Sequence, residues 1–196
     1  MPSAFLERWL EEVVAEPGAT GIGALDEARR ALLHDALRAK PLVADCPGPV
    51  IDVGSGGGTP GIPLAVELPE RSFVLLEAQR RKCDFLSRIT SELRNVTVVR
   101  GRAEEQPTDT YGVALAKALA KPPVATELCL PLVRPGGIVI LWVGGRAERD
   151  RVATVAGKLG GTLEGDQDGL LVLRKVAPTP LGFPRRAGVA KKRPLA

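Results

Sequence analysis

The run VIDVGSGGGTPGIPLA, from Val50 to Ala65, constrains this chain more than any other stretch. A short apolar strand enters glycines at 54, 56, 57, 58 and 61, and Pro63 to Leu68 continue as a helix that Pro69 stops. A second apolar segment, Ser72 to Leu76, ends on a carboxylate, Glu77. Glycine allows the sharp turn and lets a ligand come close to the backbone, while the first turn of the new helix offers unpaired N–H groups. An acid about 20 residues beyond the glycines is placed to accept both hydroxyls of a ribose. This is how an α/β fold builds an adenosine site.

The rest of the chain repeats the pattern. Strands are expected at 50–53, 72–76, 96–99, about 112–116, 138–143, near 162–165 and 170–176, with helices at 79–93, 122–133 and 147–159. Alternating βαβ units imply a parallel sheet with helices on both faces. Arg134 to Gly137 reads as a turn, and Asp168-Gly169 is too short for a crossover, so the last two strands should form an antiparallel hairpin. Ahead of this core, 3–16 and 24–39 carry helical periodicity, with Ser3 a plausible N-cap, Pro17-Gly18 between them and Pro41 ending the second. They read as a small helical lid. At 196 residues the chain supports one main domain. The expected boundaries are a helical extension over 1–48, the ligand-binding domain over 49–177 and a basic tail over 178–196.

Three dispersed cysteines, Cys46, Cys83 and Cys129, with no CxxC spacing, argue against a disulfide framework or a zinc site and fit a reducing cytoplasm. Glu7, Glu11, Glu12 and Glu16 are foreign to a signal peptide, and no apolar run approaches a membrane span. Charge is unevenly placed. No acid follows Asp168, while Arg174, Lys175, Arg185, Arg186, Lys191, Lys192 and Arg193 follow it. Without those seven, the balance of 27 basic against 23 acidic residues turns slightly negative. A locally basic tail points to a polyanion partner or, alternatively, to a solvated tail that aids solubility.

Three features favour S-adenosylmethionine over a dinucleotide. Gly54, Gly56 and Gly58 are spaced as GxGxG, with Pro60-Gly61 in place of the long helix start that cradles a pyrophosphate. The third strand leads into Gly101-Arg102-Ala103-Glu104, where an acid can sit beside an adenine. The chain closes in a hairpin without a second substrate domain. The fold expected is a class I methyltransferase: α/β, Rossmann-like, a seven-stranded sheet with the last strand antiparallel.

The run DVGSGGGTPGIPLA, Glu77 with Arg80-Arg81-Lys82, Arg102-Ala103-Glu104, Pro135-Gly136-Gly137, and the tail FPRRAG (183–188) with KRPL (192–195) together resemble the RsmG/GidB family. The resemblance covers roughly residues 25–195, and its most specific parts are PGIPLA and the tail. It implies N7-methylation of a guanine in small-subunit (16S) ribosomal RNA, on the class I fold with a short N-terminal helical extension. The chain departs from the family pattern at Thr59, where an aromatic is usual, at Gly112, where an acid is usual, at Lys117, where an arginine is usual, and at Val143, where a lysine is usual. These departures fall mostly on the substrate side.

The candidate roles follow. Gly54, Ser55, Gly56 and Gly58 approach the methionine part and the ribose. Asp52 orients the loop, Glu77 holds the ribose hydroxyls, and Ala103 and Glu104 flank the adenine. Lys117, at the end of the fourth strand, faces the methyl and is the one catalytic candidate. Arg185, Arg186, Lys191, Lys192 and Arg193 contact RNA phosphates, with Pro184 and Pro194 keeping the tail extended over the catalytic face. The single histidine, His34, falls on an amphipathic helix and has no evident catalytic partner. Trp9 reads as core or lid packing, and Trp142 as buried in the sheet or stacking on a base. No metal is expected. The protein is expected to work as a cytoplasmic monomer on rRNA or a ribosomal subunit. Other readings stay open: a methyltransferase of another RNA or a small molecule, a non-catalytic cofactor- or RNA-binding paralogue, and, least favoured, a nicotinamide dehydrogenase.

Overall fold

Strand residues alternate between two apolar faces, and that alternation builds the core. A computed structural model describes residues 2–143 and 148–196. The sheet contains β1 (Val50–Val53), β2 (Phe73–Glu77), β3 (Val96–Arg100), β4 (Tyr111–Lys117), β5 (Val133–Trp142), β6 (Gly161–Gln167) and β7 (Leu170–Lys175), in the order β3-β2-β1-β4-β5-β7-β6. Ile51, Val53, Ala114, Ala116, Val139, Leu141, Leu171 and Leu173 join the cluster on one face. Val50, Val113, Leu115, Ile138, Ile140, Leu170 and Val172 join the cluster on the other. A period of two with both faces apolar is the signature of a sheet covered by helices on both sides.

The first five strands pair in parallel, and β7 pairs antiparallel with both β5 and β6. The hairpin turn has Asp168 at φ 54° and Gly169 at φ 86°, the left-handed pair that a two-residue connection between twisted strands needs. The segment 134–137, expected as a turn, is absorbed into β5: Tyr111 pairs with Val133 and Val113 with Ile138, so the extra residues leave the ladder as an irregularity.

The helices are α1 (Pro2–Ala15), α2 (Leu25–Ala28), α3 (Asp35–Leu37), α4 (Lys40–Asp45), α5 (Gly61–Glu67), α6 (Arg80–Ile89), α7 (Pro122–Cys129), α8 (Arg149–Lys158) and α9 (Val189–Lys192). Ser3, expected as the cap, lies inside α1, which already starts at Pro2, and the helix start expected at 147 falls outside the described residues. Instead of a lid, α1 is cemented to the domain. Trp9, Leu10 and Val13 are fully buried in a cluster with Ile62, Leu75, Phe85 and Leu86.

The helix expected at 24–39 changes register in the middle. Arg29–His34 forms a π-helical turn between α2 and α3. Two carbonyls of that stretch are engaged from outside, Ala31 by Lys117 Nζ and Leu32 by Thr59 Oγ1 at 2.7 Å. Outside donors at those carbonyls accompany the widened helical register. Pro41 does not end the helical region. It sits in the first turn of α4, where its missing N–H costs nothing.

Candidate functional site

The glycine turn after β1 is braced from three sides. From below, Asp52 Oδ2 accepts the Gly61 N–H at 3.0 Å, and Ser55 Oγ donates to the Asp52 carbonyl at 2.9 Å. From the side, Glu77 Oε2 accepts the Gly56 N–H at 3.0 Å while its Oε1 accepts the Gln79 N–H at 2.8 Å. From outside, Trp9 Nε1 donates to the Gly57 carbonyl at 2.9 Å. Side chains would break this arrangement. A Cβ on Gly61 would lie 2.4 Å from Leu75 Cδ2 and 2.7 Å from Asp52 Oδ2, and Gly54 combines φ 76° with Leu119 Cδ1 only 2.7 Å from where its Cβ would stand.

Because β1 lies between β2 and β4, the chain reverses its direction of strand addition there, and a crevice opens at the carboxyl ends of the strands. A cavity of about 360 Å³ occupies that place. Gly54 and Glu77 line one side, Ala103 and Glu104 another, and Leu76, Leu119 and Leu128 supply apolar surface. That size and mixture suit a small ligand of mixed polarity. The carboxylate of Glu77, already oriented by two backbone donors, keeps lone pairs for hydroxyls. The apolar flanks suit a flat ring. The residues present therefore fit an adenosine-bearing group.

Burial sets the electrostatics of the loop. Asp52 is 1% exposed, and loss of solvent pushes its carboxyl up to about 7, with the Gly61 N–H pulling the other way and the charge of Glu77 adding to the rise. Asp35 behaves oppositely. Its partial burial favours the neutral acid, but the hydrogen bonds from Lys117 and Arg38 outweigh that and hold it below the ordinary carboxylate value.

The expected site residues divide into groups. Gly54, Glu77, Ala103, Glu104 and Lys191 line the cavity. Asp52, Ser55, Gly56 and Gly58 are not among its lining residues and shape the turn itself; Ser55 and Asp52 are buried. Lys117, expected to face the methyl, points its ammonium elsewhere: Nζ lies 2.5 Å from Asp35 Oδ2 and donates to the Ala31 carbonyl. It fastens the helical segment over the end of β4, and Trp142 Nε1 supports the same place by donating to the Asp35 carbonyl at 3.1 Å.

The tail is not held extended, although Gly188 and Lys191 reach the wall of the cavity. It packs back on the domain, with Phe183, Ala190, Leu195 and Ala196 against the main cluster. Arg185, expected to contact RNA, is engaged with the buried Glu127 through two 2.6 Å hydrogen bonds. Arg186, Lys192 and Arg193 are exposed, and none of them forms an ion pair among the described residues. His34 is exposed.

Several lining residues went unforeseen: Gln79, Lys82, Arg102, Ala118, Leu119, Leu128 and Gly188. Lys82 and Arg102 sit inside segments already singled out. Ala118 holds φ 55° just after β4, a left-handed conformation rare for alanine and one that no local signal announced.

A family model described as GidB, rRNA small subunit methyltransferase G, matches residues 6–157. The chain belongs to that family. Among its relatives, the ribosomal RNA small subunit methyltransferase G of Rubrobacter xylanophilus is 39% identical over 186 residues, covering 84% of this chain and 69% of the relative. The protein of the same name from Synechococcus elongatus is 36% identical over 179 residues, covering 80% and 73%. The fold also matches a crystal structure of the antibiotic-resistance methyltransferase Kmr, with a TM-score of 0.54 over 72% of this chain and 91% of that one, at 16% identity. The sheet order and the terminal antiparallel strand are those expected of a class I methyltransferase. Among the described residues no helix is long and apolar enough to cross a membrane.

Proposed function

We propose that this chain transfers the methyl group of S-adenosylmethionine to N7 of a guanine in 16S ribosomal RNA, acting as a monomer in the cytoplasm. The observation that carries this reading is the cavity at the switch point, walled by Gly54, Glu77, Ala103 and Glu104, in a chain of the rRNA small subunit methyltransferase G family. S-adenosylmethionine supplies, when bound, a methyl group on a positively charged sulfur.

Guanine N7 carries a free lone pair and no proton, so its attack requires no general base. The protein's part is placement, which alone is worth roughly 7–11 kcal/mol in well-oriented systems. Glu77 accepts the ribose hydroxyls. Gly54 brings bare backbone to the ligand, and Ala103 and Glu104 flank the adenine. Asp52, Ser55, Gly56 and Gly58 hold the turn in shape. Lys117 acts as a positioning residue, clamping Asp35 and the helical segment beside the end of β4. Arg186, Lys191, Lys192 and Arg193 meet RNA phosphates, contacts that position the substrate and make binding salt-sensitive. Arg185 is withdrawn from that set by Glu127.

The test uses the purified protein, methyl-labelled S-adenosylmethionine, and 30S subunits or naked 16S rRNA from cells lacking the protein. Label recovered as N7-methylguanine at one rRNA position supports the proposal. Tight cofactor binding without transfer, or label entering only small molecules, overturns it.

A further inference from the structure

We infer that residues 185–191 of the C-terminal segment form a wall at the adenosine end of the cofactor cavity, and that the Arg185–Glu127 pair positions this wall. The inference rests on the cofactor reading above and deepens it.

Gly188 and Lys191 line the cavity together with Glu104. The Gly188 N–H donates to Glu104 Oε1 at 2.9 Å, so the residue placed beside the adenine also carries the tail. Gly188 holds φ 81°, the left-handed turn from which α9 starts. Ala190, 2% exposed, presses this short helix into the main cluster.

The lock lies behind the wall. Glu127 is on α7, directly before the cavity-lining Leu128, and its side chain is 3% exposed. A carboxylate buried to that degree requires a partner of matching geometry. Arg185 provides it with Nε and Nη2, one on each oxygen at 2.6 Å, a planar fork that lysine cannot reproduce. The same Nη2 donates to the Arg193 carbonyl at 2.8 Å. One side chain therefore ties both ends of the segment to the helix that borders the cavity.

Anchors on either side keep the segment in place. Thr179 bonds Asp109 through both its N–H and its Oγ1, and Lys158 Nζ donates to the Leu195 carbonyl at 2.7 Å. The basic tail thus has two faces. Gly188 and Lys191 complete a pocket, while Arg186, Lys192 and Arg193 stay exposed without an ion pair among the described residues.

Hydrogen–deuterium exchange on the unaltered full chain, with and without saturating S-adenosylmethionine, tests the wall. Amides in 186–193 should exchange about ten-fold more slowly with the cofactor bound. Calorimetry on Arg185→Ala tests the lock. S-adenosylmethionine and 5′-methylthioadenosine, which shares only the adenosine end, should both bind about ten-fold more weakly, with Arg185→Lys in between. Unchanged exchange in 186–193 overturns the inference even if Arg185→Ala fails to fold. So does a folded Arg185→Ala with unaltered affinity for both compounds. An unaltered chain that binds neither compound overturns the cofactor reading and this inference with it.

Discussion

Replacing Asp52 with Asn should remove a pH dependence that the structure writes into the glycine turn. Asp52 is buried under the turn, and its carboxyl is pushed from an ordinary value of 3.8 up to about 7. Between those values the folded protein binds a proton that the unfolded chain has released. Stability therefore falls as pH rises through this window, by about 1.4 kcal/mol per unit, and is flat on either side. Over the window the loss comes to about 4 kcal/mol. Asn keeps an oxygen for the Gly61 N–H and cannot ionise. The assay is urea unfolding of the cofactor-free protein from pH 4 to 8.5 at constant ionic strength, followed by circular dichroism, for wild type and Asp52→Asn. Titrating groups that do not interact with Asp52 cancel in the difference between the two. That difference should favour the variant increasingly with pH, by about 4 kcal/mol in all. A difference that stays level within about 0.5 kcal/mol across the range would refute the claim that burial governs this carboxyl.

Three further outcomes are expected. Glu77→Ala removes the acceptor for the Gly56 and Gln79 N–H groups along with the proposed ribose contact, so calorimetry should show S-adenosylmethionine affinity reduced by about 100-fold or more. Gly61→Ala drives a methyl against Leu75 and Asp52 and should cost about 1–3 kcal/mol of stability in denaturant unfolding. Lys117→Met frees Asp35 and the Ala31 carbonyl, so methyl transfer to rRNA should slow by about ten-fold while cofactor affinity moves by less than about two-fold. An equal loss of both would place Lys117 in the cofactor pocket itself.

The glycine turn and the acid beside it were legible because their constraint is local. A glycine turn between an apolar strand and a helix, with an acid at the end of the next strand, is a pattern of spacing, and spacing survives in one dimension. Most of the strands were legible for the same reason, since both faces of a parallel sheet are apolar. The irregular start of β5 was hidden because Pro135-Gly136-Gly137 has the chemistry of a turn, and only the ladder with β4 draws it into a strand. The π-turn at Arg29–His34 was hidden because its outside donors, Lys117 and Thr59, come from 86 and 27 residues away.

Charge partners were the least legible part. Lys117 reads as a free cation at a strand end until Asp35, 82 residues earlier, is brought against it. Arg185 reads as one more phosphate contact until Glu127, 58 residues earlier, takes both arms of its fork. The sequence alone determined the sheet, the bent loop and the acid facing it, because backbone conformation and hydrophobic period are properties of neighbours. Only the tertiary structure decided which charges are free to meet a ligand, because an ion pair forms between whichever groups the packed chain brings within reach.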